Sequence, residues 1–418
     1  MFRLLVLFLA LVASTQAATS YVVTAASCAD GTASLSLQQN YPLIVLSGGG
    51  EVLFESDCKI SVGLWNTIPS EVVVRFRPKN GGMVRLSCNG CSTIFTMGFP
   101  GMFSYGVQFE DIIFDLTTSN SNTANAVVLD NMIRAKLRNV IFANRNTTRY
   151  RTDGLVLKNT YWSPAGLCTV EGGSAPCYTG DIDLHEVVWT GVFTYGLVTV
   201  PSNPSSNSNF VRVNVWGGYI NLSGSGYGAY VMGSTYFTFR SLRVTNGSRG
   251  LSLRGLDHVV DGVQTSGNGA GGVVAEDTAG PNGETPAYNT TISNGSSPDG
   301  VTPCKDCSII NTRTATGVLT KLSSVRMVTA ADPQSNCTTA AVAGSTCTYV
   351  VNFLTPFLPG VANYSLSGCG VQEFAGYAAP SVSFSNKTYT GFTVKFTAQT
   401  NAASTGKVEC EAKLYGNQ

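Results

Sequence analysis

Asp257 and His258 are adjacent in the chain and Asp261 follows closely, which sets two carboxyls beside an imidazole in the stretch GLSLRGLDHVVDGVQTSGNGAGGVVAED. Imidazole with carboxylate is a pairing that general acid and base catalysis uses near neutral pH. The same stretch, residues 250–277, holds Arg254, Glu276 and Asp277, in a chain of which only 12% is charged. No serine or cysteine nucleophile is marked by a local motif, so Asp257-His258 also reads as a structural corner. The other histidine, His185, stands in LHEVVW at a variable polar position and reads as facing water.

Cys88-Asn-Gly-Cys91 and Cys304-Lys-Asp-Cys307 each have the spacing of half a tetrathiolate zinc site. They are two of six close pairs among 12 cysteines, with Cys28/Cys58, Cys168/Cys177, Cys337/Cys347 and Cys369/Cys410. The chain opens MFRLLVLFLALVASTQA, one Arg, an apolar run and small residues, the pattern of a secretory signal peptide over residues 1–17. Export disfavours free thiolates, so local disulfides are expected rather than zinc. Asp111, Asp115 and Asp130 read as solvated turn residues rather than calcium ligands. No metal and no cofactor are expected.

With 26 basic and 25 acidic residues the net charge is +1, so no field draws nucleic acid or an anionic membrane. No later run is long enough for a membrane span, and a secreted or cell-surface protein is expected. Eight Asn-x-Ser/Thr sequons mark expected solvent-facing loops or turns: Asn146, Asn221, Asn246, Asn289, Asn294, Asn336, Asn363 and Asn386.

Any such chemistry needs a scaffold, and the scaffold is written as a repeat. A small residue followed by an alternating strand recurs as AVVLD (Ala126), GLVLK (Gly154), GLVTV (Gly196), GAYVM (Gly228), GLSLR (Gly250) and GVVAE (Gly272). The steps are 28, 42, 32, 22 and 22 residues. A second motif interleaves: FEDIIF from Phe109, LRNVIF from Leu137, LHEVVW from Leu184, FRSLRV from Phe239 and VDGVQT from Val260, with VRVNVW from Val211 as an approximate member. Two strands per turn with Gly and Asn at the corners describe a coil whose stacked turns bury one continuous core. No stretch shows an amphipathic helical period.

LSGGGEVLF, FEDIIFDL, LRNVIFAN and TDGLVLKN resemble the right-handed parallel β-helix proteins of the pectin-lyase-like superfamily. The resemblance implies an all-β fold, a right-handed parallel β-helix with an N-terminal cap over 18–315. Beyond it, VSFSNKTYTGFTVKFTAQT alternates as antiparallel strands do, so 316–418 reads as a small disulfide-stapled antiparallel β-domain.

The polygalacturonases of that superfamily hydrolyse with carboxylates on neighbouring turns. Arg151-Thr152-Asp153-Gly154 resembles their first motif, and Gly180-Asp181-Ile182-Asp183 is a degraded form of the second; their Gly-His-Gly and Arg-x-Lys motifs are missing. Asp153, Asp181 and Asp183 are therefore candidates alongside Asp257 and His258, although the repeat register puts Asp153 and Asp183 on different faces.

If the second and fourth residues of the first motif point inward, the outward pairs are Val128/Asp130, Val156/Lys158, Val198/Val200, Tyr230/Met232, Ser252/Arg254 and Val274/Glu276. The middle of that face is then apolar and exposed, inviting a partner, a ligand or a covering loop such as SNPSSNSN. Arg254 should meet Glu276 as an exposed ion pair between turns. Two functions stay open. One is recognition of a polysaccharide or cell-surface glycan, with Tyr230, Arg254 and Glu276 as binding residues, Trp189 and Trp216 expected as further exposed aromatics, and lyase or hydrolase chemistry undecided. The other is a non-catalytic structural or adhesive subunit that self-associates through Val198, Val200, Tyr230 and Met232.

Overall fold

The computed structural model describes residues 19–414, apart from 66–71, 99–103, 149, 161–167, 171–172, 176–177, 207–208, 305–306, 316, 322–325, 330–341, 353–363, 376–380, 389–390 and 402–404. The expected signal peptide, Cys177, Cys337, Asn336 and Asn363 lie outside these residues. The chain divides into two units, 1–321 and 322–418.

The first unit is a parallel β-helix. Its first sheet stacks Thr93–Met97, Thr123–Asp130, Arg151–Asn159, Tyr195–Pro201, the start of Tyr227–Arg240, Arg249–Leu256 and Val273–Ala275 in parallel register. Val127, Leu155, Leu197, Ala229, Leu251 and Val273 occupy one column, so the five sequence steps are the lengths of the turns. A second sheet stacks Phe109, Leu137, Leu184, Val215, Phe239, Val260 and Ile292. Val215 takes this place in its turn, four residues after the start of VRVNVW, because Gly217 and Gly218 at the corner hide the motif there.

A third sheet completes each turn, and its inward column runs Phe114, Phe142, Trp189, Ile220 and Val244. Phe114 stacks on Phe142 at 5.6 Å and Phe142 on Trp189 at 5.4 Å. Alternate residues of each strand point into one core that no single turn could close, which is why most inward positions are apolar, with Thr199, Thr265 and Ser297 among the buried exceptions.

Between the second and third sheets the chain turns through a column in left-handed conformation: Asp111, Asn139, Glu186, Gly217, Ser241, Gly262, Asn294 and Asn311. Each of the first seven gives its N–H to a carbonyl of the following turn, Asn139 to His185 at 2.9 Å for example. A second left-handed column, Arg134, Asp181, Arg212, Tyr236, Asp257 and Asn289, bends the chain ahead of the second sheet.

The N-terminal end is closed by helices Ala25–Asp30 and Ala33–Leu46. The longer one buries Ala33, Leu37, Ile44 and Val45 and sets Tyr41 on Phe76 at 6.0 Å. It escapes an amphipathic reading because apolar residues surround it and Pro42 lies inside. At the other end Gly317–Lys321 folds back antiparallel on Ser308–Thr314, which moves the boundary past residue 315.

Disulfides Cys28–Cys58, Cys88–Cys91 and Cys304–Cys307 form, so each Cys-x-x-Cys closes on itself and the tetrathiolate alternative falls. Cys347 is also disulfide-bonded. The side chains of Cys168, Cys369 and Cys410 are outside the description. The second unit holds two three-stranded antiparallel sheets, one of Thr346–Asn352, Ser381–Thr388 and Gly391–Thr397, the other of Arg326–Thr329, Tyr364–Ala375 and Thr405–Leu414.

Candidate functional site

The residues before Gly154, Gly196, Gly228 and Gly250 form a column of their own: Asp153, Tyr195, Tyr227 and Arg249, in four successive turns. Tyr195 and Tyr227 lie 5.5 Å apart between ring centroids, and Tyr230 lies 5.5 Å from both. Three half-buried rings thus make one cluster, with Val128, Val156 and Val198 packed beside it. A guanidinium covers each end, Arg151 at 5.2 Å over Tyr195 and Arg249 at 5.8 Å over Tyr227.

At one end Arg151 Nε donates to Asp153 Oδ2 at 2.8 Å, while Asp153 Oδ1 is buried without a partner. Burial pushes the Asp153 carboxyl up to about 6, against the opposing pull of Arg151. At the other end Arg249 bonds Glu276, Ser252 Oγ donates to Glu276 Oε1 at 2.9 Å, and Arg254 Nη2 lies 3.6 Å from Glu276 Oε2. The Arg254–Glu276 pair expected between turns is present, but it is buried rather than exposed. Arg254 also bonds the Thr278 carbonyl, and the buried Glu284 carboxylate accepts from the Asn282 amide and side chain, with Arg254 adding an attractive charge.

The expected open apolar face is largely closed: Val198 is 1% exposed, Val156 5% and Val128 8%. Beyond Pro201 the chain turns back so that Asn209 Nδ2 donates to the Asn203 and Ser206 carbonyls, both at 2.7 Å, and Thr285 Oγ1 donates to Ser205. Thr199 Oγ1 both donates to the Met232 carbonyl and accepts its amide, fixing the column below.

The other candidates do not join this strip. His258 is fully buried; Nδ1 accepts the Phe237 amide and Nε2 lies 3.1 Å from the Arg254 carbonyl, so both ring nitrogens are used within the scaffold. Asp257 is a left-handed corner residue that accepts from Asn289 Nδ2. Asp261 accepts from Ser293 at 2.7 Å and Asn294 at 2.9 Å on the second sheet. The acid–base cluster anticipated at Asp257 and His258 therefore does not assemble, because the turn spends these groups on its own corner.

Asp181 sits in the same corner column, chelated by Arg212, and Asp183 accepts from Asn214 at 3.0 Å on the second sheet. Neither approaches Asp153 along the register. Asp130 accepts from the Thr160 amide at 2.9 Å, Asp115 from Arg85 and Asp111 from Asn139, so the three acids serve separate places. His185 is exposed and stacks on Trp216 at 6.2 Å, with Arg240 at 4.6 Å over the same indole.

Among the sequons, Asn246, Asn289, Asn294 and Asn386 are exposed and in left-handed conformation. Asn146 is half-buried, and Asn221 is half-buried within strand Tyr219–Leu222 rather than in a loop.

No family model and no curated protein matches the chain. Among solved structures, the A-module of Azotobacter vinelandii mannuronan C-5 epimerase AlgE4 is 14% identical with a TM-score of 0.32, covering 68% of this chain and 91% of that one. The Dettilon tailspike protein is 12% identical with a TM-score of 0.27, over 96% and 93%. A mutant tailspike protein of E. coli bacteriophage HK620 in complex with pentasaccharide is 10% identical with a TM-score of 0.29, over 92% and 90%.

Proposed function

We propose that this is an exported glycan-binding protein of the pectin-lyase-like superfamily, which takes a polysaccharide along its first sheet. The observation that carries the reading is the Tyr195, Tyr227 and Tyr230 cluster with Arg151 and Arg249 over its ends. Tyrosine rings offer flat apolar faces to the C–H face of a sugar, and their hydroxyls with the planar guanidinium groups serve sugar hydroxyls at the edge. The superfamily assignment is supported by the three-sheet coil and export by the disulfides, which persist in oxidising compartments.

Binding without hydrolysis is the form of the reading the carboxylates favour. Asp153 and Glu276 are separated by four turns, about 19 Å at the strand spacing of about 4.8 Å. Glycosidic cleavage by paired carboxyls needs about 5 to 10 Å. Affinity electrophoresis of the purified protein through gels holding single polysaccharides tests the proposal. At least one polymer should retard the protein, and Tyr195→Ala with Tyr227→Ala should abolish the retardation. Retardation unchanged by these substitutions would move the site elsewhere, and release of sugar reducing ends would overturn the non-hydrolytic form.

A further inference from the structure

We infer that the glycan taken by the tyrosine strip is uncharged, an inference that rests on the strip being a glycan site. Every cation described on this face already faces a carboxylate of the chain. Arg151 is bonded to Asp153, Lys158 lies 3.7 Å from Asp130, and Arg249 and Arg254 share Glu276. The buried Glu284 supplies the fourth negative charge beside Arg254. Four cations thus stand against four carboxylates among the described residues, and the whole chain, 26 basic against 25 acidic, adds no long-range field.

A polyuronate or sulfated polymer brings a negative charge with each repeat. The guanidinium charge it would meet is already balanced by Asp153 and Glu276, whose side chains are only 2% and 15% exposed. A second anion brought against these pairs gains little net attraction and adds repulsion from the chain's own carboxylates, so charged polymer is disfavoured by the pairing itself. Hydroxyls meet no such obstacle. The tyrosine hydroxyls and the guanidinium N–H groups not bonded to Asp153 or Glu276 serve them.

The test measures retardation of the full chain by dextran, xylan, galactomannan and laminarin, and by polygalacturonate, alginate and dextran sulfate, at low and high salt. Retardation by a neutral polymer, changing less than about twofold with salt, is the expected result, because no counterions are released from an uncharged ligand. Stronger retardation by an acidic polymer, lost at high salt, would overturn the inference while leaving the glycan site standing. Failure of all seven polymers to retard the protein would instead remove the glycan reading, and this inference with it.

Discussion

The backbone amide of Phe237 donates to Nδ1 of His258 at 3.2 Å, tying two neighbouring turns through a side chain that no solvent reaches. With Nδ1 accepting, Nε2 carries the proton and the ring is neutral. Burial pushes its pKa down to about 4 from 6.5. The unfolded chain therefore binds a proton between pH 6.5 and 4 that the folded chain does not, and stability falls as pH drops through this window. The integrated loss is about 3 kcal/mol. His258→Gln should be less stable than wild type at pH 7 by about 1–3 kcal/mol, for its disturbed buried hydrogen bonds. The gap should narrow on acidification, as read by denaturant unfolding at pH 7 and pH 4.5; a constant gap would show that His258 does not titrate with folding.

Asp153 has the opposite sign. Its folded pKa is raised to about 6 from 3.8, so between those values the folded state holds the extra proton and stability rises as pH falls. The gain approaches about 3 kcal/mol by pH 4. Asp153→Asn removes it while keeping the shape. On going from pH 7 to pH 4.5 wild type should gain relative to this variant and lose relative to His258→Gln. Identical pH slopes for wild type and Asp153→Asn would contradict the burial of an ionisable carboxyl at the strip.

The repeat was legible because one inward column of the first sheet is apolar in every turn. Val127, Leu155, Leu197, Ala229, Leu251 and Val273 could be aligned from sequence, and they share one column. Half of the site was legible for the same reason: Asp153, Tyr195, Tyr227 and Arg249 each precede the motif glycine, although of the four only Asp153 lies in a stretch that resembles a known motif. Depth was not legible. Outward Val198 is buried among Val128, Val156, Val200, Tyr195 and Tyr230, and Arg254 is held down by Glu276 and the Thr278 carbonyl, none of which the period of one strand reveals. Asp257 and His258 look chemical in one dimension, because a left-handed corner and a buried imidazole acceptor use the same residue types as an active site.

Glu276 should prove more costly to neutralise than Arg254. It holds Arg249, Arg254 and Ser252 together, and the side chains of Arg254 and Glu276 are 9% and 15% exposed. Glu276→Gln leaves Arg249 without a counter-charge and Arg254 with Glu284 alone, and a loss of about 3–5 kcal/mol is expected. Arg254→Met leaves Glu276 still held by Arg249 and Ser252, so about 1–3 kcal/mol is expected. Urea unfolding midpoints in the reverse order would show that the cluster is not organised around Glu276.

Gly250 is a glycine because of its neighbour rather than its torsion angles. The coil brings the Gly272 carbonyl so close that a methyl on Gly250 would run into its oxygen, nearer than real Cβ contacts come. The same holds down the column, where Cβ atoms on Gly154 and Gly196 would lie 2.6 Å from the carbonyl oxygens of Gly196 and Gly228. No flexible side chain can yield at Gly250. The two turns must separate, straining the bonds from Gly250 N to the Gly271 carbonyl at 3.0 Å and Leu251 N to the Gly272 carbonyl at 2.8 Å. Gly250→Ala should therefore cost at least about 1–3 kcal/mol. Gly269 provides the control, since nothing lies within 4 Å of a Cβ placed there and its φ is not in the left-handed range. Gly269→Ala should be neutral or stabilise by about 0.4–1 kcal/mol through the unfolded chain. Because Arg249 precedes Gly250, Gly250→Ala should also weaken retardation by whichever polysaccharide binds wild type, and Gly269→Ala should not. Equal unfolding midpoints for the two alanine variants would mean that close approach of the turns is not what keeps this column glycine.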